Sequence, residues 1–196
     1  MTPEELIEAV ENLTHETYSD DPAIWLQWFN EALQDLSPVL RLETYEEFAL
    51  NGVTERELPG DIQEIKKFRI SGGGRDIDLG PVGVGETENK HAYWVWDGSA
   101  HFPEAKTGTA KLWYYRRPAK FTIGSARPDI QQGYEDALIL YAAAKSKAPD
   151  RWLDDKNDFY RDYQVRKRQI ELERTRQVAR PRFARVSPFT AGGRYL

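Results

Sequence analysis

The stretch Tyr93-Trp94-Val95-Trp96-Asp97-Gly98-Ser99-Ala100-His101-Phe102 decides the fold class. Aromatic and β-branched residues crowd both sides of Asp97-Gly98, a dipeptide suited to the positive φ angles of a tight hairpin. A second strand signal follows at Ala110-Lys111-Leu112-Trp113-Tyr114-Tyr115. Both lie mid-chain, while the flanks carry helical periodicity, so the reading is helices, a β-region, then helices.

Towards the N-terminus, Arg41 to Ala49 alternates loosely and Asn51-Gly52 signals a tight turn. Leu58-Pro59-Gly60-Asp61 is a break, and Ile62, Ile65, Phe68 and Ile70 lead into Ser71-Gly72-Gly73-Gly74, which reads as a flexible loop. Upstream, Thr2 caps a helix over residues 3–13, with Pro3 at its first position and Leu6, Val10 and Leu13 as its apolar stripe. A second helix starts at Asp20-Asp21-Pro22. Its broad aromatic face includes Trp25, Trp28, Phe29 and Leu33, and Ser37-Pro38 is expected to end it.

Towards the C-terminus, Arg127-Pro128-Asp129 is expected to restart helix, with Ile130, Tyr134, Leu138 and Tyr141 on one face. Pro149-Asp150 breaks it. A long helix then runs from about Trp152 to about Val178, with Trp152, Phe159, Tyr163 and Ile170 apolar. Pro181 and Pro188 forbid its continuation. The fold class is therefore α+β: a bundle of N- and C-terminal helices, an inserted and mostly antiparallel β-region, and an extended tail. The expected divisions are 1–40 and 124–178 for the bundle, 41–123 for the β-region and 179–196 for the tail. The expected bundle core is Trp25, Trp28, Phe29, Leu33, Tyr134, Leu138, Tyr141, Trp152, Phe159 and Tyr163.

Six Trp, ten Tyr and eight Phe let a chain of only 40% hydrophobic content bury a core, because each ring removes a large apolar area from water. There are no cysteines, which excludes disulfides, thiolate chemistry and cysteine-ligated zinc. The acidic start predicts no secretory signal, and no stretch approaches the ~20 apolar residues of a membrane span. No membrane partner is expected.

The net charge of −5 conceals a polarity. Up to Glu64 the only basic residues are Arg41 and Arg56, whereas from Arg174 to Leu196 there is no acid at all. The tail interleaves Arg176, Arg180, Arg182, Arg185 and Arg194 with Phe183, Val186, Phe189, Tyr195 and Leu196. Arginine with aromatic anchors is what interfaces enrich, so these residues are expected to dock on a neighbouring subunit or another protein.

No catalytic constellation emerges. Gly80-Pro81-Val82-Gly83-Val84-Gly85-Glu86-Thr87 has the spacing of a phosphate-binding loop, but Glu86 stands where lysine must neutralise phosphate, leaving a glycine-rich turn. His15, His91 and His101 have no partners at ligand spacing, and Asp76/Asp78 and Asp154/Asp155 are generic acidic pairs. No serine sits in a nucleophile elbow. Trp94, Trp96, Trp113, Arg116 and Arg117 suggest a surface for stacking bases, against the alternative that these rings are core. No cofactor, metal or catalysis is expected.

The order of elements carries a resemblance. Trp25-Leu26-Gln27-Trp28-Phe29-Asn30-Glu31-Ala32-Leu33 is followed by Leu58-Pro59-Gly60-Asp61-Ile62, then by Lys111-Leu112-Trp113-Tyr114-Tyr115-Arg116-Arg117-Pro118. Next comes the helix containing Ala137-Leu138-Ile139-Leu140-Tyr141-Ala142-Ala143-Ala144, and last the one containing Phe159-Tyr160-Arg161-Asp162-Tyr163. Over about residues 22–175 this resembles the adaptor, or head-to-tail connector, proteins of tailed bacteriophages. The resemblance implies a homo-oligomeric ring, usually of twelve copies, beneath the portal in the virion neck, assembled in the host cytoplasm. It implies a channel through which double-stranded DNA passes without sequence-specific binding, and a downstream neck or tail protein as partner. A tail-completion or tail-terminator protein is the alternative virion role, and a nucleic-acid-binding module is a third reading. The β-region is larger than in minimal helical adaptors.

Overall fold

A computed structural model describes residues 1–15, 21–147 and 153–179, with side chains of the last helix described for 157–176. Among these described residues are four helices and a five-stranded sheet. The order is α1 (Pro3–Thr14), α2 (Pro22–Leu40), β1 (Leu42–Glu57), β2 (Ile62–Gly72), β3 (Arg75–Pro81), β4 (Ala92–Trp96), β5 (Ser99–Arg116), α3 (Glu135–Ser146) and α4 (Leu153–Ala179).

α1 opens on a reciprocal capping box: Glu5 N–H donates to Thr2 Oγ1, and Thr2 N–H donates to the Glu5 carboxylate. Its far end is held by Lys147, whose ammonium donates to the Thr14 carbonyl at 3.1 Å. Asp21 caps α2. Ser37-Pro38 does not end that helix, which continues to Leu40. Pro38 lies in the last turn, where its missing N–H forfeits one helical bond, and burial of Leu36 and Leu40 keeps the turn wound.

α3 is central. It packs on α1, α2 and α4, and buries Ala137, Leu138, Ala142, Ala143 and Ala144. It starts at Glu135 and not at Arg127-Pro128-Asp129. The Asp129 carboxylate, a potential cap, instead accepts bonds from Arg116 and the Ala119 N–H, and Gly133 sits at φ +96°, outside helical space.

The sheet runs β1-β5-β2-β3-β4, and β4 also pairs with β5, so β2 to β5 close on themselves like a small barrel. Pairing is antiparallel except for two residue pairs between β3 and β4. Three sequence expectations change here. Asn51-Gly52 is no hairpin turn: β1 passes through it with a shift of register, Gly52 taking φ +72°. The 71–74 segment is no flexible loop: Gly73 and Gly74 both take positive φ in a tight β2–β3 hairpin. The two strand signals after Asp97-Gly98 merge into one 18-residue strand, β5. β5 crosses β2 so closely at Gly108 that a Cβ there would stand 2.5 Å from the Ser71 carbonyl oxygen.

Two hydrophobic cores result. The helical core gathers Leu6, Val10, Trp25, Phe29, Leu33, Leu36, Leu138, Tyr163 and Ile170. The sheet core centres on Phe68, fully buried, with Phe48, Tyr93 and Phe102 edge-on to its ring at 5.3–6.1 Å.

Candidate docking surfaces

The joint between the two cores is polar. Arg116, at the end of β5, holds both oxygens of Asp129 with a two-pronged grip, and the Ala119 N–H adds a third bond at 2.7 Å. These bonds, led by Arg116, keep the Asp129 carboxyl below its ordinary pKa even though partial burial opposes them. A few residues along, Phe121 inserts into the helical core beside Phe29, and its backbone is bonded twice by the Asn30 side chain. The sheet is thereby fixed to the bundle at two points on one connecting segment.

α4 is the last described element before the tail residues in sequence. Tyr163 and Ile170 are fully buried, and Phe159 is partly buried against the same core. The Tyr163 hydroxyl donates to Asp35, which also accepts from Lys167 at 2.8 Å. Burial of Asp35 pushes its carboxyl up, but the bonds from Lys167 and Tyr163 outweigh it and leave the group below its usual value. Burial, reinforced by Asp35, pushes the Tyr163 phenol well up. Near the end of α4, Arg174 donates to the Arg41 carbonyl at 3.1 Å and to Gln131 at 3.2 Å.

Of the expected tail residues, Arg176 lies on α4 and is exposed. Arg180, Arg182, Phe183, Arg185, Val186, Phe189, Arg194, Tyr195 and Leu196 lie outside the described residues, as does Trp152. Within the bundle, Trp25 and Trp28 meet edge to face at 5.2 Å, as do Tyr141 and Tyr163 at 5.1 Å. Phe29, Leu33, Tyr134 and Leu138 are buried in the same cluster.

The aromatic strands do not form one stacking platform. Trp94 lies flat on His101, while Trp113 sits twelve positions along β5 from His101, under the Lys67 ammonium. Trp96, 61% exposed, sits at the hairpin tip. Arg116 is neutralised by Asp129, so it offers phosphate little. The outer face around Trp113 is laced with opposite charges: Glu43 with Lys66, Glu47 with Lys111, and Asp78 with Arg69 and Lys67. Asp78, bonded by Arg69 and then Lys67, is held down to about 2.

Gly80 to Thr87 begins at the end of β3 and continues as a turn closed by the Glu86 N–H to the Gly83 carbonyl; β4 follows, with no helix between. Among the described residues no three His, Cys, Asp or Glu side chains are grouped to hold a metal, and no helix is long and apolar enough to cross a membrane. A groove of about 410 Å³ lies between β2 and the β3–β4 segment, lined by Leu58, Ile62, Ile65, Pro81, Val82 and Tyr93 among others. Its walls are apolar. Gln63 at its edge is bonded by Ser37, and Glu64 is its one carboxylate. This chemistry suits docking more than bond-making.

Sequence reasoning missed Asn30, Asp129 and Arg174. Their partners stand 91, 13 and 133 positions away, and no short motif marks such pairs.

The family model described as SU10 adaptor protein matches residues 1–188. No curated protein matches the chain.

Proposed function

Because the chain belongs to the SU10 adaptor protein family, whose members are structural phage proteins, we propose that it forms a homo-oligomeric ring joining the portal to the tail or next neck protein of a tailed phage. The family assigns a structural adaptor role, a place in the virion and contacts with other capsid or tail proteins. The ring, its dodecameric copy number, the portal as partner and the DNA channel are the finer reading offered here.

The observation that carries this reading is the extent of the match, which spans the bundle, the sheet and the start of the basic tail together. The physical properties are compatible with it. A subunit of a load-bearing neck needs its modules fixed, and the Arg116–Asp129 and Asn30–Phe121 joints fix sheet to bundle. The tail, with Arg180, Arg182, Phe183, Arg185, Val186, Phe189, Arg194, Tyr195 and Leu196, combines charge with apolar anchors and docks on the portal. Acidic surface from residues 1–64, where it faces the channel, lets DNA slide because phosphates find no cations to condense on.

A pull-down of the full chain against the portal and against the tail tube of the same phage tests this reading. Retention on the portal is expected. Retention on the tail tube alone would instead make the protein a tail-completion or tail-terminator component.

A further inference from the structure

α1 and α4 flank α3 on different sides. The consecutive residues Glu135 and Asp136 show the divergence: Glu135 lies 3.9 Å from the N-terminal amine that precedes α1, while Asp136 pairs with Arg166 of α4 at 2.7 Å. The outward sides of these two flanking helices have opposite chemistry.

On α1 the residues opposite the buried Leu6 and Val10 are Glu4, Glu8 and Glu11, an i, i+4, i+7 ridge. None of the three has a cationic partner among the described residues. On α4 the residues opposite the buried Tyr163 and Ile170 are Arg161, Val165, Arg168, Leu172 and Arg176. Val165 and Leu172 are 53% and 51% exposed on that stripe. Arg161 pairs on the surface with Asp158 at 3.1 Å and with Asp162 at 4.0 Å, whereas Arg168 and Arg176 meet no carboxylate among the described residues.

We propose that these faces are the two halves of a head-to-tail contact between copies of this chain, the Glu4–Glu8–Glu11 ridge of one copy lying on the Arg161–Arg176 stripe of the next. The proposal rests on the ring reading above and adds which surfaces close the ring. Three features carry it. The signs are complementary, with acid on one helix and arginine on the other. The spacing matches, because Glu4 to Glu11 and Arg161 to Arg168 are each seven residues, about 10 Å of helix. The two faces lie on different flanks of one subunit, so they are satisfied by neighbours, which is the requirement for a heterologous, repeating interface. Val165 and Leu172 then supply the apolar contact between the charged rows.

The chain has no cysteine, so introduced thiols report contacts between its copies without background from native thiols of the chain. Full-length Glu8→Cys and Arg168→Cys chains, alone, mixed, and combined in one chain, are oxidised on the portal of the same phage. The expected result is a covalent dimer in the mixture at least tenfold above either single variant, and a ladder beyond dimer for the double variant. Both positions are exposed, and circular dichroism verifies folding. A ring visible by electron microscopy without this cross-link would overturn the interface and leave the ring reading standing. Absence of both ring and cross-link would overturn both. Binding of double-stranded DNA that is lost in Arg168→Glu/Arg176→Glu, again without cross-link, would make the α4 stripe a DNA-facing surface and overturn the proposal.

Discussion

The side-chain amide of Asn30 is bonded twice to the backbone of Phe121: Nδ2 donates to the carbonyl at 2.9 Å, and Oδ1 accepts from the N–H at 2.7 Å. This pairing imitates a strand ladder between a helix and a connecting segment, and it satisfies two partly buried backbone groups at once. Asn30→Ala removes both bonds and leaves the Phe121 backbone without them. The expected loss is about 1–3 kcal/mol, read as a lowered midpoint in urea unfolding. Asn30→Asp keeps the acceptor for the Phe121 N–H but sets a carboxylate oxygen against the Phe121 carbonyl where Nδ2 donated, so it costs at least as much as Ala at neutral pH.

The Arg116–Asp129 pair makes a pH prediction. The Asp129 pKa is lowered in the folded protein, first by Arg116. Its contribution to stability is therefore complete above the unfolded carboxylate value near 4 and is lost as pH falls through the lower, folded value. Asp129→Asn costs roughly 1–3 kcal/mol at neutral pH. It also flattens the acid limb of stability against pH, and urea melts from about pH 7 to about pH 2 measure both effects.

Tyr163 and Asp35 join α4 to α2 through a hydroxyl donated to a carboxylate. Tyr163→Phe keeps the buried ring and deletes that bond, leaving Lys167 as the remaining donor to Asp35. A loss of roughly 1–2 kcal/mol follows, within the range for a bond to a charged group. The Asp35 pKa moves back toward its ordinary value, so less stability is lost on acidification than in wild type. Thermal melts of the two proteins at neutral and acid pH show the difference.

The tail is removed cleanly only after Ala179. A cut at Ile170, where the apolar face of α4 ends, also deletes Arg174 and its bonds to Arg41 and Gln131. Chains ending at Ala179 retain all the described contacts of α4 and are expected to stay folded, but to bind the portal at least tenfold more weakly. Equal portal affinity for the two chains, in a titration, would remove the docking role from Phe183, Phe189 and Tyr195.

What the sequence made legible was periodic or local. The helical stripes around Trp25, Phe29 and Tyr163, the Thr2 and Asp21 caps and the Asp97-Gly98 hairpin all depend on residues within a few positions of one another. What stayed hidden depends on distant partners. Asn51-Gly52 has the composition of a hairpin turn, yet the long pairing of β1 with β5 carries the strand through it and converts the glycine's freedom into a bulge. Asp129 has the composition of a helix cap, yet Arg116 claims it. Ser37-Pro38 has the composition of a helix stop, yet two buried leucines outweigh one missing hydrogen bond. The charge polarity was legible as composition, acid at one end and arginine at the other, while the helical faces that carry it on α1 and α4 became visible only with the packing around α3.

On the proposed function, this chain builds a ring on the portal. Electron microscopy of purified portal particles, before and after incubation with the full-length chain, tests it most directly. An added ring of density with rotational symmetry, on the tail-facing side of the portal, is the predicted result. Portal particles unchanged at saturating chain, with the protein folded and monomeric in the supernatant, would contradict it.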